Sequence, residues 1–90
     1  MLPLNYAILH CYRTLETADA DQIMESLKAD YERSRSFRKK TVVESLMTAK
    51  ENGILEEAGY EADAGGGLHV FYRLTDYGKE ILDKYIPITV

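Results

Sequence analysis

Apolar side chains recur at helical spacing from the start of the chain. Leu4, Ala7, Ile8, Cys11 and Leu15 share one face and predict a helix over residues 3–15. Tyr6, Leu9 and Tyr12 widen that face, so two sides should be covered, by the rest of the domain or by a second copy. Asp19 and Gln22 stand at capping-box spacing and open a second helix, with Ala20, Ile23, Met24, Leu27 and Tyr31 on its buried side. Ser34 or Ser36 can cap a third helix. Val43, Leu46, Met47 and Lys50 are expected along one side of it with Val42 beside them, and Asn52-Gly53 supplies a left-handed stop.

The period then changes. Ile54-Leu55 opens a strand-like segment to about Tyr60, and Asp63 to Gly67 reads as a flexible hairpin tip. The return strand runs from His69 to Leu74, with Val70, Tyr72 and Leu74 alternating against His69, Phe71 and Arg73. Thr75 caps a last helix bearing Tyr77, Ile81, Leu82 and Tyr85, and Pro87 ends it. The expected class is α+β, mainly α: three helices, a two-stranded β-hairpin and a short C-terminal helix. That order is the plan of a winged helix-turn-helix. Ninety residues support one domain, residues 1–90, with a small core.

Charge adds a second layer. Five of the eleven basic residues, Arg33, Arg35, Arg38, Lys39 and Lys40, lie within eight positions, and no acid occurs between Glu32 and Glu44. The rest of the chain holds six basic against fifteen acidic residues. A concentrated cationic patch on an acidic molecule suits an anionic partner such as phosphate. If Ser36 is the cap, Arg38 and Lys39 occupy the first helical turn, where the helix dipole disfavours cations. A bound phosphate would relieve that conflict. The plainer reading is a solvated face that pairs with neighbouring acids.

Other candidates are weaker. His10, Cys11 and His69 have no metal-site spacing, and Cys11 lies on the apolar stripe, so no metal or cofactor is expected. Gly65-Gly66-Gly67 lacks the Gly-Lys-Ser/Thr of a phosphate loop. The acidic pairs, among them Asp19 with Asp21, read as exposed and unpartnered, and the seven tyrosines as core or interface. No catalytic constellation emerges, so an enzyme is not expected. A lone cysteine, no long apolar run and no signal-like start suggest a cytoplasmic protein without a membrane span.

Residues 72–82, Tyr-Arg-Leu-Thr-Asp-Tyr-Gly-Lys-Glu-Ile-Leu, resemble winged-helix regulators of the PadR and MarR type. Those families close the wing with an aromatic or basic residue, then Leu-Thr, then a glycine three residues on, matched here by Tyr72, Leu74, Thr75 and Gly78. The stretch from Asp19 to Leu55 is similar to their positioning helix, recognition helix and first wing strand. The resemblance implies a transcriptional regulator that binds double-stranded operator DNA as a homodimer through residues 36–52. The contacts expected are Arg33, Arg35, Ser36, Arg38, Lys39, Lys40, Thr41, Ser45 and Arg73, with Glu44 and Thr48 also away from the apolar face. Two departures stand out. The wing is acidic (Glu56, Glu57, Glu61, Asp63), with Arg73 the one cation on its strands. PadR-type proteins dimerise through a long C-terminal helix, whereas only residues 76–90 follow Thr75 here. A dimer is therefore expected through residues 3–15 and the tail residues Ile86, Ile88 and Val90. The alternative function is a protein-interaction module that docks a partner on the acidic wing and binds no DNA.

Overall fold

The structure is a computed structural model describing residues 2–86. Its elements are α1 (Leu4–Cys11), α2 (Ala20–Tyr31), α3 (Lys39–Glu51), β1 (Leu55–Ala62), β2 (Leu68–Leu74) and α4 (Asp76–Tyr85). β1 and β2 form an antiparallel hairpin, and Ala18 adds a bridge to Tyr72 through two backbone hydrogen bonds of 2.9 and 3.1 Å. The helices enclose one core, in which Ile8, Ile23, Val42, Leu46, Leu55 and Leu82 are fully buried. No helix among the described residues is long and apolar enough to cross a membrane.

Local chemistry sets most boundaries. Asp19 Oδ1 accepts from the Gln22 N–H at 2.9 Å, and Gln22 Oε1 accepts from the Asp19 N–H at 3.0 Å, completing the capping box of α2. α3 ends in a Schellman turn: the Ile54 N–H reaches Ala49 O and the Gly53 N–H reaches Lys50 O, with Gly53 at φ +77°. Thr75 Oγ1 accepts from the Gly78 N–H at 2.9 Å and caps α4. The far end of α4 is closed by Arg13, whose guanidinium donates to the carbonyls of Leu82, at 2.8 Å, and Ile86. A cation at a helix C-terminus is favoured by the dipole and by the free carbonyls. Tyr12 donates its hydroxyl to Ala18 O at 2.9 Å, and burial pushes that phenol well above its ordinary pKa.

Several expectations need correction. α1 stops at Cys11, because Tyr12, Arg13 and Thr14 tighten into i→i+3 turns that aim Arg13 at α4. α3 begins at Lys39 with Arg38 as its N-cap, so neither Ser34 nor Ser36 caps it. Its buried side is Val42, Leu46 and Ala49, whereas Met47 is 52% exposed and Lys50 is in solvent. Tyr12, Tyr31 and Tyr72 are core residues, but Tyr6, Tyr60, Tyr77 and Tyr85 are exposed. The wing tip is organised by one side chain: Asp63 Oδ1 accepts from the N–H groups of Gly65 and Gly67 at 2.9 and 2.8 Å. Ile86 is buried in its own chain and so offers no free edge to a partner, while Ile88 and Val90 lie outside the described residues.

Candidate nucleic-acid interface

The cationic stretch forms the turn between α2 and α3. Phe37 anchors it: its ring is half-buried and meets the Tyr31 ring with centroids 6.5 Å apart. Short backbone bonds shape the remainder, Ser34 N–H to Tyr31 O and Phe37 N–H to Ser34 O, with Ser36 N–H on Ser34 Oγ at 3.3 Å. With one aromatic inward, Arg33, Arg35, Ser36, Arg38, Lys39 and Lys40 are all exposed. Among the described residues, Arg33, Arg35, Arg38 and Lys40 make no ion pair; Lys39 Nζ lies 3.0 Å from Asp21 Oδ1 on α2. No side chain caps α3, and its first turn holds no acid. Uncapped N–H groups, a positive dipole end and four unpaired cations thus share one surface, suited to polyanionic phosphate.

The rotation of α3 distributes its other residues. Thr41 and Ser45 are half-buried on the flank toward α1, where they line an open groove with Asn5, Tyr6 and Leu9. Lys40, Glu44, Met47 and Glu51 form the exposed stripe opposite the core, and Glu44 and Thr48 are exposed where α3 borders the same α1 groove. Met47 was missed by the sequence reading, which put it inside. Two signals mark the alternative: Lys50 in the supposed apolar arc, and Ala49 completing a Val42–Leu46–Ala49 spacing that is equally helical.

Neither a protein-family model nor a curated protein matches the chain. Among solved structures, Bacillus subtilis PadR in complex with operator DNA superposes with a TM-score of 0.76 and 21% identity, covering 97% of this chain and 48% of that one. A PadR family transcription regulator from Clostridium difficile R20291 gives a TM-score of 0.68 and 19% identity, over 90% of this chain and 80% of that one. The fold is a PadR-like winged helix. The chain spans about half the length of the Bacillus subtilis protein.

The wing of this PadR-like fold is less negative than its sequence suggests. Arg73 Nε bonds Glu56 Oε1 at 2.8 Å, and Lys50 Nζ of α3 bonds Glu57 Oε2 at 2.8 Å. Arg73 is therefore held across the hairpin by Glu56 rather than extended from it. That hydrogen bond to Glu57 pushes the Lys50 ammonium above its usual pKa. At the tip, Asp63 is held below the ordinary carboxylate range, first by the Gly67 N–H and then by His69. The Asp63 hydrogen bond raises the His69 imidazole, desolvation opposes it, and the charges of Asp19, Asp63 and Asp21 add to the rise. Asp19 is not the exposed acid expected from sequence; it is buried beside His69.

Proposed function

We propose that the protein is a DNA-binding transcription regulator that inserts α3 into the major groove of operator DNA. The observation that supports this reading most directly is the cationic turn before α3, with four unpaired cations beside an uncapped helix start. The PadR-like fold adds to it, since the similar Bacillus subtilis protein is known in complex with operator DNA. In this reading Arg33, Arg35, Ser36 and Arg38 meet phosphates, while Lys39 stays paired with Asp21 behind them. Lys40, Glu44, Met47 and Thr48 face base edges, where a lysine suits guanine, a glutamate suits the cytosine amino group and a methionine suits the thymine methyl. Thr41 and Ser45, turned toward α1, support the helix from its flank. Arg73 contributes once released from Glu56.

The proposed regulator acts as a homodimer on a two-fold related site, with the exposed part of residues 3–15 as the contact. Tyr6 and the half-buried Leu4 and Leu9 remain available there. The protein-docking alternative draws less support, because Glu56 and Glu57 are already matched by Arg73 and Lys50. A gel-shift titration against DNA selected from a random pool tests the reading. Arg38→Glu with Lys40→Glu should abolish specific binding and flatten the salt dependence. Unchanged affinity and slope in that variant would reject α3 as the DNA-binding element.

A further inference from the structure

Two elements, α2 and β2, converge beside the tip of the wing. Asp19 is the N-cap of α2, Asp21 lies in its first turn, and His69 is the second residue of β2. His69 Nδ1 stands 3.2 Å from Asp19 Oδ2 and 3.3 Å from Asp21 Oδ2, and its Nε2 stands 3.0 Å from Asp63 Oδ2. An ionised carboxylate only accepts hydrogen bonds, so the contact with Asp63 requires a proton on Nε2. In the neutral ring Nδ1 then carries a lone pair, and it faces two further acceptors. With Nδ1 unprotonated three electron pairs face one point, so either a second ring proton or a bound cation must hold them together.

We propose that Asp19, Asp21 and His69 form a binding site for a divalent transition-metal cation of the zinc type. Metal–ligand distances of about 2.0–2.2 Å place neighbouring ligand atoms roughly 3.0–3.5 Å apart, which matches both Nδ1–oxygen separations. Asp63 takes the outer position, donating orientation to the histidine through Nε2–H as carboxylates commonly do behind metal-bound imidazoles. Asp19 is equally constrained: its side chain is 10% exposed, and the Gln22 N–H holds Oδ1 so that Oδ2 points into the cluster. Three carboxylates face one ammonium, because Lys39 occupies the other oxygen of Asp21. The surplus negative charge suits a dication and outweighs the unfavourable dipole at the start of α2. One histidine and two carboxylates leave a coordination position open toward the cleft of about 150 Å³ between α3 and the wing. Bound metal would tie the wing to α2, and through Asp21 and Lys39 to the first residue of α3.

Metal binding to the untagged full chain, stripped with EDTA and titrated with Zn²⁺ at neutral pH, tests this independently of DNA binding. The expected result is one Zn²⁺ per chain by calorimetry and a raised melting temperature. In ¹⁵N spectra, His69 Nδ1 should shift on metal addition while Nε2 keeps its proton. His69→Gln and Asp21→Asn, both at exposed or half-exposed positions, should each weaken uptake about tenfold or more, and His10→Gln should leave it unchanged. Absence of saturable uptake, or uptake that survives His69→Gln, overturns the proposal. A doubly protonated His69 ring in saturating Zn²⁺ also overturns it, since a proton alone would then fill the gap.

Discussion

The α-carbon of Gly78 packs directly against the carbonyl of Ile54: a β-carbon at position 78 would lie 2.1 Å from Ile54 O and 3.0 Å from its carbonyl carbon. The Leu-Thr-x-x-Gly pattern thereby acquires a physical reason. Thr75 donates its backbone N–H to Ile54 O at 3.0 Å and its hydroxyl to Gly53 O at 2.6 Å, so the start of α4 is bound to the loop after α3. Only a residue without a side chain fits one turn further on. Gly78→Ala should cost about 3 kcal/mol, the upper end for overpacking, whereas Thr75→Val should cost about 1 kcal/mol through loss of the cap. Urea denaturation of the two variants checks the order. Equal, small losses would show that α4 docks without this contact.

Arg13 gives a second prediction. Its guanidinium closes the C-terminus of α4 from the turn after α1, with its side chain 12% exposed and Asp83 at 3.8 Å. Arg13→Met keeps much of the apolar stem and removes the donors. The expected loss is about 1.5–3 kcal/mol, typical of hydrogen bonds to a charged group. Hydrogen exchange should accelerate first at the last-turn amides of α4. Uniform acceleration across the domain would indicate that Arg13 acts on the core instead.

The features legible in the sequence were those decided within a few residues. Asp19 with Gln22, Asn52 with Gly53, and Thr75 with Gly78 set helix ends through bonds spanning three to five positions, so the elements could be placed. The rotation of α3 was not local. Whether Met47 or Ala49 faces inward depends on how closely α1 and α2 approach, and the small side chain of Ala49 fits the buried position. The start of α3 was missed because Phe37, not a serine, fixes the turn by packing on Tyr31. The Asp19–Asp21–His69 cluster depends on hairpin register, which pairs Glu61 with His69 across a bulge between Glu57 and Gly59. Nothing in the sequence announces that bulge.

Lys39 and Arg38 are adjacent cations in different circumstances. Lys39 is matched by Asp21 at 3.0 Å, while Arg38 makes no ion pair among the described residues. Each phosphate neutralised contributes about 0.9 to the slope of log affinity against log salt. Arg38→Gln should therefore reduce the magnitude of the slope by about 0.9, and Lys39→Gln should change it much less. Salt titrations by fluorescence anisotropy measure both. An equal drop for Lys39→Gln would mean that its bond to Asp21 breaks on binding DNA.

The wing provides the last comparison. Glu56 and Arg73 are direct cross-strand partners, joined at 2.8 Å and about half exposed. An exposed pair of this kind adds little to stability, so removing either partner should leave the denaturation midpoint nearly unchanged. Its effect on DNA binding has opposite signs for the two partners. Glu56→Gln frees a guanidinium and removes a repulsive charge, which should tighten binding roughly two- to fivefold at low salt. Arg73→Gln leaves Glu56 uncompensated beside the phosphate backbone and should weaken binding by a similar factor. The double variant should return close to the starting affinity, and all three differences should shrink as salt is raised. Three indistinguishable affinities at low salt would place the wing away from the nucleic acid and leave recognition to α3 and the cationic turn before it.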